Sequence, residues 1–323
     1  MQRRQLLLAA SAALAAPLRP FAQERVHRIA WLSTSDRAGG QAFFGPFLEG
    51  MAELGYVHGR NLEVDARWAD YSGERLAGLA SDAIALRPSV IVTQGAALRS
   101  VSKNPGAIPV VFGVSGDPVE LGVAKSLARP GGHFTGVTFL AYELSAKRVE
   151  LLHEIVPKGR HLAIVSNPQH AGDAKELQAT REAAVGSGLQ VTHHPASDET
   201  GLQKALESVV AAHADLLLVQ PDGLFVRQSP ALARFSIERR VPAISGWASL
   251  ADSGTLVTYG PVLAASYRRL AYFVDRILRG ASPAEMPIEQ PTKLELVLNL
   301  KTAKALGLLI PQAILVRVDR TIA

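Results

Sequence analysis

An α/β fold of two doubly wound parallel-sheet lobes is what three features of this 323-residue chain predict. Short runs rich in β-branched residues alternate with segments of helical periodicity, the pattern of right-handed βαβ crossovers. The two halves of the chain repeat this pattern in the same order. The apolar runs end in Gly, Ser, Asn, Asp or Gln, residues that stop strands on the side of an open sheet where ligands bind.

The repeat rests on three anchors. Ile29 to Ser33 corresponds to Leu162 to Ser166, and Ile108 to Gly113 corresponds to Val241 to Gly246, each 133 positions further on. Between them Val90 to Gln94 matches Leu216 to Gln220 at a slightly shorter offset.

Each half then reads strand, helix, strand, helix, strand, helix, strand. In the first, Phe43 to Leu54 is helical, with Phe43, Phe44, Phe47, Leu48, Met51 and Leu54 on one face and Gly55 as its stop. Leu62 to Trp68 alternates apolar and charged residues as a half-exposed edge strand does, and Glu74 to Leu86 is a helix. Ile108 to Phe112 is a buried strand. Gly113 to Pro118 stops it, a helix is expected near Val119, and ARPGGHFTG is expected to be a helix stop and turn. In the second half Ala174 to Ser187 and Thr200 to Ala212 are helices, and Gln190 to His193 and Leu216 to Val219 are strands.

Three segments should link the lobes. Glu143 to Ile155 is helical and ends at Pro157 and Gly159; Ala264 to Arg279 is a strong helix after the strand TLVTYG; LELVLNL followed by a short helix closes the chain. The resulting division is residues 24–138 plus about 262–288 for lobe one, and 139–261 plus about 289–323 for lobe two.

Residues 1–22 have the layout of a secretory signal peptide. Arg3 and Arg4 precede an apolar stretch from Leu6 to Leu18 that is too short to span a membrane, and Ala22 is the preferred cleavage site. The paired arginines admit a twin-arginine route. Removing Arg3, Arg4 and Arg19 from 34 basic residues leaves 31 against 29 acidic ones, so the formal charge of +5 shrinks to +2 and no nucleic-acid footprint remains. The absence of cysteine excludes disulfides, iron–sulfur ligation, thiol catalysis and lipid attachment through a cysteine. The expectation is a periplasmic monomer with no stable membrane anchor.

Catalytic signatures are missing: there is no GxGxxG, phosphate loop, HExxH or GxSxG. Adjacent His193 and His194 point to opposite faces of a strand and are read as solvated. No metal or cofactor is therefore expected. What remains is a set of polar residues at strand ends. Ser33, Thr34, Gln94 and Gly95 are candidates for a ligand carboxylate, because hydroxyls, amides and exposed backbone N–H groups favour an anion. Gly113, Val114, Ser115 and Asp117 follow the strand Ile108 to Phe112, and Asn167, Asp222, Trp247 and Tyr259 face them from the second half. Asp222 either receives an ammonium or caps the helix at Leu224. Trp247 and Tyr259 either wall a pocket or belong to the core.

Four stretches carry a resemblance: FLEGMAELGYVHGRNLEVDARWA from Phe47, PVVFGVSGDPVELGVAKSLARPGGHFTGVT from Pro109, KRVELLHEIVP from Lys147 and QPTKLELVLNLKTAKALGLLIP from Gln290. Over nearly its full length the chain resembles ABC-transporter substrate-binding proteins, specifically the tryptophan-binding-protein-like family of the type I periplasmic binding protein fold. The resemblance implies two α/β lobes joined by three crossovers, a ligand held in a hinged cleft, and delivery to a permease and its ATPase without chemistry. It points to amino acids as ligands. Gln94, Gly95, Ala96 and Ala97 replace the small Gly/Thr/Pro residues usual there, and His133 replaces a common asparagine. An exported sensor partner of a signalling receptor, or an α/β hydrolase, are the alternative functions.

Overall fold

The computed structural model describes residues 26–139, 141–170 and 172–323; the expected signal peptide lies outside them. Sheet one runs through β1 (His27–Ser33), β2 (Leu62–Trp68), β3 (Val90–Gln94), β4 (Val110–Val114) and β5 (Phe134–Thr138), in the order β2-β1-β3-β4-β5. All its pairings are parallel. Helices α1 (Arg37–Glu53), α2 (Gly73–Ala85) and the short α3 (Ala97–Ser102) fill the crossovers. Strands β3, β4 and β5 are buried throughout, as continuous apolar runs in a two-faced sheet must be.

Sheet two repeats this order. It contains β6 (His161–Ser166), β7 (Gln190–Pro195), β8 (Leu216–Val219), β9 (Ala243–Ser245), β10 (Val257–Pro261), β11 (Leu294–Asn299) and β12 (Arg320–Ile322). The sheet order is β12-β11-β10-β9-β8-β6-β7, so β7-β6-β8-β9-β10 reproduces the first sheet. Among the described residues only β10–β11 is antiparallel, which the uniform parallel expectation missed. Its helices are α4 (Ser145–Ile155), α5 (Asp173–Gly186), α6 (Glu199–Ala211), α7 (Gly223–Arg227), α8 (Ser229–Arg239) and α9 (Ala248–Asp252).

The lobes are joined three times. The chain leaves β5 through a 3-10 turn at Ala141–Leu144 and α4 to reach β6. It returns after β10 through α10 (Leu263–Leu278), which lies on α1 and sheet one. Tyr267, Leu270, Phe273 and Val274 on the buried face of α10 anchor that return, at about 1.5–3 kcal/mol for each large side chain. Glu289 then bridges to Val137 beside β5, and the chain crosses a last time into β11, α11 (Leu300–Leu306) and α12 (Gln312–Leu315).

Two local expectations around β4 change. No helix forms near Val119: Asp117 accepts the Val119 N–H at 2.9 Å, and Gly122, at φ +72°, ends the segment after one turn. The stretch read as a turn at Phe134 is instead β5. Gly136 permits it, since a Cβ there would stand 2.1 Å from the Phe112 carbonyl oxygen on the paired strand.

Candidate binding cleft

The carboxyl ends of both sheets open onto one cavity of about 210 Å³. Each sheet reverses strand order beside its first strand, the switch point where doubly wound folds take ligands.

Lobe one supplies its wall from the ends of β1, β3 and β4. The Gln94 Oε1 accepts from Ser33 Oγ at 2.8 Å and Thr34 Oγ1 at 3.3 Å, which fixes the amide across the strand ends. Gly95 follows at φ +63°, with its N–H on the Gly113 carbonyl at 3.1 Å. A side chain at Gly95 would be strained and would sit 3.2 Å from Thr34 Oγ1, so glycine keeps this corner open to a ligand. Ser115 and Val114 form the floor, tied to the first crossover by Ala141 N–H to Ser115 O and Phe139 N–H to Val114 O. On α3, Arg99 and its neighbour Lys103 reach the rim.

Lobe two supplies a row of charges. After β6 the Asn167–Pro168 dipeptide makes a β-turn closed by His170 N–H to Asn167 O at 2.8 Å, with Asn167 Oδ1 accepting from Gln169 N–H. This turn carries His170 into the cleft, where Nδ1 stands 3.2 Å from Asp222 Oδ2. Nε2 faces Glu176 Oε1 at 3.6 Å, an ion-pair distance too long for a hydrogen bond. Burial opposes the imidazolium, but the Asp222 and Glu176 carboxylates outweigh it and raise the His170 pKa to about 10. Burial also opposes the Asp222 carboxylate; contacts with His170, Asn167 and the Leu224 N–H reverse that and hold its pKa below the usual range. Behind Glu176 lies Arg148, 1% exposed, donating from Nε to Tyr259 O at 2.9 Å and from Nη1 to Ala141 O at 3.2 Å. Burial lowers its pKa to about 10, with Glu176 acting in the opposite direction. Arg148 thereby ties the first crossover to the strand that starts the second.

Aromatic rings close the space. Tyr71 follows Asp70, both with positive φ in the loop after β2, a costly conformation for a bulky residue. Its hydroxyl approaches Gly223 O of the other lobe at 3.4 Å and Arg227 stacks on its ring at 4.6 Å. Burial raises the phenol pKa of Tyr71, and of Tyr267. Trp247 serves both roles considered for it: it lines the cleft and meets Phe43 of lobe one, ring centroids 6.2 Å apart. On the opposite edge Lys175 bonds Glu120 at 2.6 Å and lies 3.5 Å from Asp117, again across the lobes.

Of the sequence candidates, Thr34, Gln94, Gly95, Gly113, Val114, Ser115, Asn167, Asp222 and Trp247 line the cleft. Ser33 stands behind Gln94, fully buried. Asp117 sits outside, capping Val119 and facing Lys175. Tyr259 packs into the lobe-two core and offers only its carbonyl, to Arg148. Asp222 caps Leu224 at 2.8 Å, the second of its two readings, and also lines the cavity. His194 is not solvated: it is buried, with its ring nitrogens on Ser208 and Thr192. Sequence reasoning missed His170, Tyr71, Phe139, Tyr267, Arg99 and Lys103. The Asn–Pro turn ahead of His170 was the available signal for that residue; Tyr267 and Tyr71 reach the cleft only through packing.

Comparison with known proteins decides the family. Residues 37–322 match the family model for ABC transporter substrate binding proteins. The chain belongs to that family. Its members bind substrates and are not enzymes. A tyrosine-binding protein of Clostridioides difficile (strain R20291) is 24% identical over 268 residues, covering 81% of this chain and 75% of that protein. A conserved domain protein of Vibrio cholerae superposes with TM-score 0.87 at 23% identity, over 92% of this chain and all of that one. An ABC domain from Streptococcus pneumonia in complex with L-Trp superposes with TM-score 0.84 at 19% identity, with the same coverage. The fold is that of type I periplasmic binding proteins. Among the described residues no helix is long and apolar enough to cross a membrane.

Proposed function

We propose that this chain is the exported solute-binding component of an ABC importer, capturing a small carboxylate-bearing ligand between its lobes and passing it to a permease and ATPase. The observation that carries this reading is the single cleft at the facing carboxyl ends of two sheets, with hydrogen-bonding groups from both and contacts across its two edges. The signal-peptide pattern of residues 1–22 supports export. The moving bodies are residues 24–138 plus about 262–288, and 139–261 plus about 289–323, hinged where Arg148 holds Ala141 and Tyr259. A ligand touching both lobes favours closure by its differential affinity for the closed state.

A thermal-shift screen of organic acids and amino acids on purified mature protein tests this. A true ligand at 100 times its Kd adds roughly 2.7 kcal/mol of stability, and small-angle scattering should show contraction with it. A protein that neither shifts nor contracts with any small solute does not serve this function.

A further inference from the structure

We infer that this cleft selects carboxylate anions that carry no ammonium group, and that His170 is the residue that excludes the ammonium. The inference rests on the solute-binding reading above and narrows its ligand class.

An α-amino acid brings a cation as well as an anion, and the cation needs an acidic partner. Among the described residues Asp222 is the only carboxylate lining the cleft, whereas Arg99, Lys103 and His170 are cationic or protonatable. Asp222 is already engaged. Its Oδ1 accepts from Asn167 Nδ2 at 3.1 Å and the Leu224 N–H at 2.8 Å, and its Oδ2 faces the His170 ring. Both nitrogens of that ring face carboxylates, Asp222 on one side and buried Glu176 on the other, which is the setting of an imidazolium. An ammonium near Asp222 would therefore meet a fixed like charge in a site shielded from water.

The opposite wall favours an anion. It offers the open corner at Gly95 and, on the rim, Arg99 and Lys103. Among the described residues no carboxylate lies within ion-pair distance of either cation. Leu76, Phe139, Trp247 and Tyr267 make the remaining walls apolar, suiting a hydrophobic or aromatic body. The ligand class is thus an apolar or aromatic carboxylic acid, including 2-oxo acids, rather than the matching amino acid.

Calorimetric titration with matched pairs tests this: phenylpyruvate against L-phenylalanine, indole-3-propionate against L-tryptophan, and 4-hydroxyphenylpyruvate against L-tyrosine. The acid of at least one pair should bind tenfold or more tightly than its amino acid. His170→Asn, which frees Asp222 Oδ2, should narrow or reverse that ratio. Arg99→Ala, a change at an exposed position that leaves the charge row of lobe two intact, should weaken acid binding severalfold in a folded protein. Amino acids binding as well as or better than their acids would overturn the inference while leaving the solute-binding reading in place. Preference for acids that survives His170→Asn unchanged would remove His170 from it. Silence towards both sets, extended to a general solute screen, would bring down the reading beneath it as well.

Discussion

The two walls of the cleft come from duplicated halves with the same strand order, yet they solve the problem of a polar surface in opposite ways. Lobe one uses neutral groups: Ser33, Thr34 and Gln94 bond one another, Gly95 exposes backbone, and its charges stand outside on Arg99 and Lys103. Lobe two aligns four charged groups, the buried Arg148 and Glu176 and the partly buried His170 and Asp222, which balance to zero when the imidazole is protonated. A neutral hydrogen-bonded surface loses little when one member is trimmed. Such a charge row leaves an uncompensated ion when any member is removed. The two walls also differ in what lies behind them: lobe two is tied through Arg148 to Ala141 of the first crossover and to Tyr259 at the start of the second.

The sharpest way to break this contrast is Arg148→Met. It removes one of the two cations near Glu176, leaving His170 as the other, frees the Ala141 and Tyr259 carbonyls, and should cost about 3–5 kcal/mol in chemical denaturation, a typical loss for one partner of a buried charge cluster. Gly136→Ala, on the lobe-one side but at a strand contact rather than in the wall, should cost about 1–3 kcal/mol by overpacking against Phe112, read as a lowered Tm. Gln94→Ala should cost only about 1 kcal/mol of stability, while weakening the ligand about tenfold in calorimetry.

The pH dependence sharpens the comparison further. The folded-state pKa of His170 lies above its ordinary value of 6.5, so its contribution to stability is complete below 6.5 and is lost as pH rises towards about 10. Asp222 runs the other way: its pKa is depressed, so its contribution is present above 3.8 and is lost as pH falls through the lower folded value. Thermal melts should show the alkaline loss in the parent protein and a flatter profile in His170→Asn. The smallest effect is expected at the rim. Lys175→Ala removes half-exposed pairs with Glu120 and Asp117 and should change stability by no more than about 1 kcal/mol, in a salt-dependent way. Its clearer signature would be a larger ligand-free radius in scattering, because the pair joins the lobes.

Local chemistry left a clear record in the sequence wherever one element decides the outcome. The strand Leu216–Val219 has the predicted bounds, the helices are shifted by a few residues at most of their ends, and the repeat anchors fall on β1 with β6, β3 with β8 and β4 with β9. The strand-end residues Thr34, Gln94, Asn167 and Asp222 reached the cleft because doubly wound topology places every parallel strand's carboxyl end on one side. The misses have one cause: partners far apart in sequence. β5 was hidden because Phe134 to Thr138 looks like a turn until Gly136 is seen beside Phe112, and the antiparallel β11 because pairing direction depends on where the third crossover delivers the chain.

By itself the sequence determined the α/β class, the duplication, the three crossovers and the polar strand ends, since periodicity, β-branching and turn residues act within a few positions of themselves. Only the tertiary structure decided that Asp222 is matched by His170, that Arg148 grips two crossovers, and that Tyr267 of α10 helps line the cleft. Charge compensation and ring packing depend on distances across folded chain, and no sequence spacing encodes that His170 and Asp222, far apart in the chain, meet at 3.2 Å.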